Sequence, residues 1–220
     1  MTVEPQAYII AGVAALVGVG ALVSYVRDRK RRETYTEFCG IRGFSYDPQR
    51  AGGERRFREV FDDFRKGNDN SWRNTITGRT NNAAFTAFEY VWQEGGGKSR
   101  HTEERCGLIW ESDDVSFPKF ALAPEGWFSK IGQLFGMQDI DFDDSPEFSK
   151  AYRLAGGDEP GIRALFTPEI REFFRATPGQ RVMGGGRFLI WWFTGTLPSV
   201  KHLDEWLERG EHVRRRFFKS

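Results

Sequence analysis

Hydrophobic and polar residues alternate along this chain in three rhythms, and each change of rhythm marks a change of element. The first is no alternation at all. Ala7 to Val26 (AYIIAGVAALVGVGALVSYV) holds no charged residue, its most polar members being Tyr8, Ser24 and Tyr25. At about 1.5 Å per residue, such a helix covers the roughly 30 Å hydrocarbon core of a bilayer. Tyrosines near both ends suit the interfaces. Five bases follow at once, Arg27, Arg29, Lys30, Arg31 and Arg32, whereas residues 1–6 carry one acid and no base. The positive flank stays inside, so the expected topology is N-out and C-in, a single pass of a bacterial inner membrane with the following domain in the cytoplasm. A cleaved signal peptide would need its bases before the apolar run. Small residues four apart, Ala11 and Ala15, Ala14 and Gly18, Gly20 and Ser24, offer a surface for self-association or for another membrane protein in lipid.

A helical rhythm follows. Glu33–Phe44 extends the helix with Tyr35, Phe38 and Ile41 at three-residue steps, and Asp47–Gly53 reads as a linker. Glu54–Lys66 sets Phe57, Val60, Phe61 and Phe64 on one stripe, stopped by Gly67.

A period of two takes over at Trp72. Trp72, Asn74 and Ile76 share one side of a first strand. Ala83–Trp92 sets Phe88, Tyr90 and Trp92 against Phe85, Ala87 and Val91, a strand covered on both faces. Thr102–Trp110 and Phe117–Ala123 complete an antiparallel meander. Pro124 opens a predicted helix carrying Trp127, Phe128, Ile131, Leu134 and Phe135, and residues 146–154 read as strand. Thr167-Pro168 starts another helix. Gly184–Gly186 turns a hairpin between residues 181–183 and 187–193, and Ser199–Phe217 is a closing helix. The expected fold class is α+β: an N-terminal transmembrane helix, then a mostly antiparallel sheet packed with several helices. About seven strands and a closing helix would also suit a PH-like barrel. The domains predicted are residues 1–6 outside, 7–26 transmembrane, 27–53 a basic juxtamembrane helix and linker, and 54–220 the soluble domain.

Composition changes little. Twenty phenylalanines and seven tryptophans supply a core, although only 39% of residues are hydrophobic. Thirty-two bases against 31 acids leave no field to gather nucleic acid. The lipid bilayer is the expected partner and no cofactor is expected.

Candidate chemistry is thin. Asp139, Asp141, Asp143 and Asp144 form the one dense acidic run and are the weak metal candidates. Ile140 and Phe142 alternate with them, which equally describes a solvated edge with two inward anchors. His101, His202 and His212 are dispersed, against the convergence zinc demands. No G-x-S-x-G and no phosphate-binding G-x-x-x-x-G-K-[ST] occurs. Cys39 and Cys106 lie on apolar faces and read as inert thiols. Four bases at the C-terminus, Arg214, Arg215, Arg216 and Lys219, join Phe217 and Phe218 in a tail suited to a membrane surface, as does the cluster Arg27–Arg32.

Asn74-x-x-x-Gly78, Ala87-Phe88-Glu89-Tyr90, Phe117-Pro118-x-Phe120-x-Leu122-x-Pro124-Glu125, Asp139-Ile140-Asp141-Phe142 and Phe148-x-x-x-Tyr152 are aromatic, structural motifs. Over residues 55–195 the chain resembles a family of uncharacterised bacterial proteins with one N-terminal span and an α+β domain. The resemblance implies a location and a fold, and no site residues. The expected function is a membrane-anchored cytoplasmic interaction or sensing domain without catalytic activity. The alternatives are a membrane-associated hydrolase using the acids at 139–144, and an accessory subunit of a membrane complex.

Overall fold

The computed structural model describes residues 5–49, 55–65, 67–80, 83–127 and 139–218, with side chains of the first helix from Ala14 onward. The elements are α1 (Pro5–Arg42), β1 (Ser45–Asp47), α2 (Arg55–Val60), a 3-10 turn (Asp62–Arg65), β2 (Asn68–Thr80), β3 (Ala83–Glu94), β4 (His101–Glu111), β5 (Phe117–Pro124), α3 (Pro146–Ala151), β6 (Tyr152–Gly156), α4 (Glu159–Leu165), α5 (Pro168–Ala176), β7 (Val182–Gly186), β8 (Phe188–Thr194) and α6 (Val200–Phe217). The fold is α+β. Eight strands form one sheet in the order β1-β2-β3-β4-β8-β7-β5-β6, with every named pair antiparallel. The sheet is open, with β1 and β6 at its edges, which sets aside the barrel alternative.

Both faces are covered. On one, α1 and α3–α6 contribute Tyr35, Phe148, Ile162, Phe174 and Leu203 to a core built on Ile76, Ala87, Leu108, Leu122 and Trp191. On the other, Phe57, Phe61 and Phe64 pack over Trp72, Phe88, Tyr90, Ile190 and Trp192. Aromatic rings make up most of this second core, so few residues bury large areas.

Several expectations are corrected. The β2–β3–β4 meander is present, but β5 is not its fourth member, because β8 lies next to β4. The uninterrupted apolar run Phe188–Trp192 is buried on both faces, which suits a central strand and not an edge. Trp72 and Ile76 face opposite cores. A register shift between Arg73 and Ile76, where Asn74 adopts φ 46°, inserts a bulge and flips the later side chains. Residues 146–151 are helix and not strand, with Pro146 in the first turn, and the strand begins only at Tyr152. Ile41 is 76% exposed, and Cys39 takes the inward place. Steps of three residues drift around a helix of 3.6 per turn, so the stripe from Tyr35 continues at i+4. The helix expected from Pro124 mostly lies outside the described residues; Pro124 itself ends β5.

α1 is one unbroken helix from the apolar run into the domain. Among the described residues no helix is long and apolar enough to cross a membrane. The direction of α1 against the sheet follows from three contacts. Phe44 packs edge-on against Phe85, Tyr35 lies 5.5 Å from Tyr46, whose register row runs through Ile76 to Ala87, and Arg31 reaches Glu89. Positions nearer the apolar run thus meet strand rows nearer Glu94, so the β3–β4 hairpin and the 194–199 segment occupy the end of the sheet toward that run.

Candidate functional site

A dense polar network sits where α1 meets the sheet. Glu89 is buried in β3 and takes three donors: Arg31 Nη2 on Oε1, the Leu197 backbone N–H on Oε1 at 2.8 Å, and Asn74 Nδ2 on Oε2 at 2.7 Å. Asn74 Oδ1 accepts in turn from the Tyr46 hydroxyl at 2.6 Å. Arg31 Nη2 also donates to Tyr35 Oη at 3.1 Å and to the Leu197 carbonyl at 3.2 Å, while the Tyr35 hydroxyl donates to the Pro198 carbonyl at 2.8 Å. A buried carboxylate left alone would be costly, and here its lone pairs are filled from a helix, a bulge and a loop. The bulge at Asn74 is therefore what aims the amide at Glu89. Periodicity misses this, because it assigns Glu89 to a strand face without showing what lies above it.

Two solvent-filled grooves flank this joint. One, of about 690 Å³, runs between α1 and the start of α6 and is lined by Arg27, Lys30, Thr34, Tyr35, Leu197 and Lys201, among others. The other, of about 400 Å³, is polar and reaches Glu89 past Asp28, Arg32, Arg73 and Glu104. Of the basic cluster, Arg29 pairs with Glu33 and Arg31 is engaged by Glu89; Arg27, Lys30 and Arg32 line grooves.

The C-terminal bases lie elsewhere. Tyr35 meets Pro198 and Arg42 pairs with Asp204, so α6 starts beside α1 and runs away from the apolar end. Its last turn is at the far end of the domain. Phe217 is buried among Phe117, Phe120, Phe166 and Phe174, and Phe218 packs on Phe117. Arg214 and Arg215 both donate to Glu211, and Arg216 lies over the Phe173 ring. Burial would lift the Glu211 carboxyl, but these two guanidinium groups hold it below the usual carboxylate range. The rings expected to enter lipid close the core instead. Lys219 lies outside the described residues.

The acidic run is dispersed. Asp139 accepts from the Leu154 N–H and pairs with Arg153, and burial pushes its carboxyl up. Asp144 holds Arg171 at 2.6 Å, and the carbonyl of Asp141 accepts from Arg163. Ile140 and Phe142 are buried while Asp141, Asp143 and Asp144 are exposed, the arrangement of a solvated edge with two inward anchors. A different group converges: Glu94, His101 and Glu103 bring one ligand atom each within 4.8 Å of one another at the β3–β4 hairpin. His101 Nε2 lies 3.3 Å from Glu103, Nδ1 faces the Ser99 carbonyl, and Glu94 also accepts from Trp92 Nε1. Dispersed histidines hid this trio, since the hairpin register alone sets Glu94 opposite His101. Its members are mostly exposed, and exposed acidic groups commonly gather in this way without an ion.

Both cysteines are free and buried, and burial pushes the thiols up to about 11 at Cys39 and about 12 at Cys106. Neither is a nucleophile near neutral pH.

No protein-family model matches the chain, and no curated protein matches it. Among solved structures the fold is similar to the crystal structure of the mycobacterial trehalose monomycolate transport factor A, TtfA, with a TM-score of 0.56 over 86% of this chain and 93% of that one. Sequence identity is 10%, so the likeness is one of fold.

Proposed function

We propose that this protein is a non-catalytic accessory subunit of a membrane assembly, anchored by residues 7–26 with its α+β domain held against the cytoplasmic face of a bacterial inner membrane. The observation that carries the reading is the continuity of α1, which passes from the uncharged run to Arg42 without a break and is locked to the sheet through Arg31 and Glu89. A tethered catalyst gains from a slack linker. A helix fused to its domain fixes both distance and orientation, which is what docking onto a neighbour in the same membrane requires. The folding likeness to a protein named as a transport factor supports the same reading. The dispersal of the acidic run weighs against the hydrolase alternative.

The test is a photo-crosslinking residue at Lys201, exposed at the foot of α1, in cells expressing the full chain. Discrete adducts with an integral membrane protein are expected, and they should vanish when two glycines are inserted after Arg32 to break the helical phase. Lipid adducts alone, or adducts indifferent to the insertion, would reject the accessory role.

A further inference from the structure

We propose that the slot formed by Trp127, Arg181 and Trp192, on the sheet face opposite α1, binds an anionic group: a phosphate or a carboxylate. Arg181 precedes β7 directly, and its carbonyl accepts from the Trp192 N–H at 3.1 Å, so the two side chains rise from opposed positions of the β7–β8 hairpin. The Arg181 guanidinium carbon lies 3.6 Å from the Trp127 ring centroid and 5.6 Å from that of Trp192. Arg31, Arg105 and Arg171 each face a carboxylate, whereas among the described residues none pairs with Arg181.

Among the described residues two donors here lack acceptors. Arg181 Nε and Trp192 Nε1 are both buried with no hydrogen-bond partner among them, and Trp192 as a residue is only 2% exposed. The adjacent Trp191 shows the contrast, since its Nε1 donates to Gln180 Oε1 at 2.7 Å. Buried donors without acceptors are rare and mark strain or a missing ligand. A second guanidinium, Arg105, lies 4.5 Å from the Trp192 centroid, with Asp63 already at 2.9 Å. Burial pushes the Arg181 pKa down, and the Arg105 charge adds to this. An oxyanion would accept from both orphaned donors and balance Arg181, with indole faces flanking whatever carries it.

The slot also has a definite height. Trp192 is next to Phe193, which lies opposite Cys106, itself opposite Glu89. It therefore sits near the level where Arg31 meets the sheet, about 7.5 Å below Val26 by helical rise. Either a soluble phosphate ester or a phospholipid headgroup could supply the anion.

The full chain in phosphatidylcholine nanodiscs would be titrated with inorganic phosphate and, separately, with dihexanoyl phosphatidic acid, reading tryptophan fluorescence. A saturable change is expected with at least one probe. Arg181→Gln should weaken it about tenfold or more, as removing a charge-assisted donor does, while Arg55→Gln at an exposed position should not. Phosphate matching phosphatidic acid points to a soluble ligand, and much tighter phosphatidic acid to a headgroup. Saturation by neither probe, or equal affinity in a folded Arg181→Gln, overturns the site. If the Gln variant does not fold, Arg181→Lys is read instead, and unchanged affinity there would be equally fatal.

Discussion

Arg31 and Glu89 lie 58 residues apart in the chain and are joined across the boundary between α1 and the sheet. The carboxylate is 4% exposed at its side chain and the guanidinium 32%, so the pair is sheltered from one end. It is the point at which the helix carrying the apolar run becomes part of the folded domain.

Removing one partner should therefore be worse than removing both. Glu89→Ala strands Arg31, the Leu197 N–H and the Asn74 amide, and should lower stability by about 3 kcal/mol. Arg31→Met combined with Glu89→Leu should recover part of that loss. Chemical denaturation of the four members of the cycle measures it, and a coupling energy near zero would show that the joint is held by its aromatic contacts alone.

Phe61 follows α2 and is fully buried, packing edge-on to Phe64. Phe61→Ala should cost about 3–5 kcal/mol. The proper exposed comparison is Arg55→Ala, since Arg58 is half-buried and donates to Asn70. Equal melting temperatures for the two variants would mean that the thin aromatic layer contributes little.

How far the sequence could be read depended on what kind of information each feature needs. The inward stripes of α6 and of the Phe57–Phe64 segment, the two-faced burial of β3 and the pairing of β7 with β8 follow from local period, although Gly184 and Gly185 lie in β7 opposite Leu189 and Phe188 and the turn falls at Gly186, where φ is positive. The place of β5 was not legible, because strand order depends on which surfaces meet in three dimensions. A period of two sets Asn74 on one side with Trp72 and Ile76, and a bulge is invisible to that period. The joint at Glu89, the trio at His101 and the slot at Arg181 each combine segments far apart in the chain. Only the basic residues of α1 were visible as a cluster, and Arg31 among them turned inward to a carboxylate.

Gly210 and Gly40 separate helix propensity from packing. A Cβ at Gly210 would stand 2.4 Å from Leu108 Cδ1 and 3.0 Å from the Trp191 ring, whereas one at Gly40 meets nothing within 4 Å. Alanine gains about 1 kcal/mol over glycine in a helix, and overpacking costs about 1–3 kcal/mol. Gly40→Ala should therefore raise the melting temperature and Gly210→Ala should lower it. Stabilisation at both sites would show that α6 can shift away from β4 and β8 cheaply.

The buried thiols set an alkaline limit. Folded values raised to about 11 at Cys39 and about 12 at Cys106 stand against an ordinary value near 9. Between these pH values the unfolded chain has lost protons that the folded one keeps, so stability is intact below pH 9 and falls as pH rises toward 11. The expected slope is about 1 kcal/mol per thiol per pH unit. Denaturation midpoints from pH 8 to 10.5 measure it, and Cys106→Ala should flatten the curve. At pH 7.5 neither thiol should be alkylated by iodoacetamide without denaturant; rapid labelling of the native chain would contradict their burial.

The direction of α1 also decides which end of the domain can meet lipid. Arg27 and Lys30 line the groove at the foot of the apolar run, whereas Arg214 and Arg215 are held by Glu211 at the remote end of α6. If the chain runs N-out and C-in, as proposed above, a fluorescent protein fused after Ser220 should be bright and an alkaline phosphatase fused there inactive. In the span-deleted domain, changing Arg214, Arg215, Arg216 and Lys219 to Gln should leave sedimentation with anionic liposomes unchanged. Changing Arg27, Lys30 and Lys201 to Gln should abolish what binding there is at low salt, each base near an anionic surface contributing about 1 kcal/mol. An active phosphatase fusion would reverse the topology. Loss of binding on changing the tail alone would place the far end of α6 at the membrane, against the direction in which α6 runs beside α1 from Pro198 to Asp204.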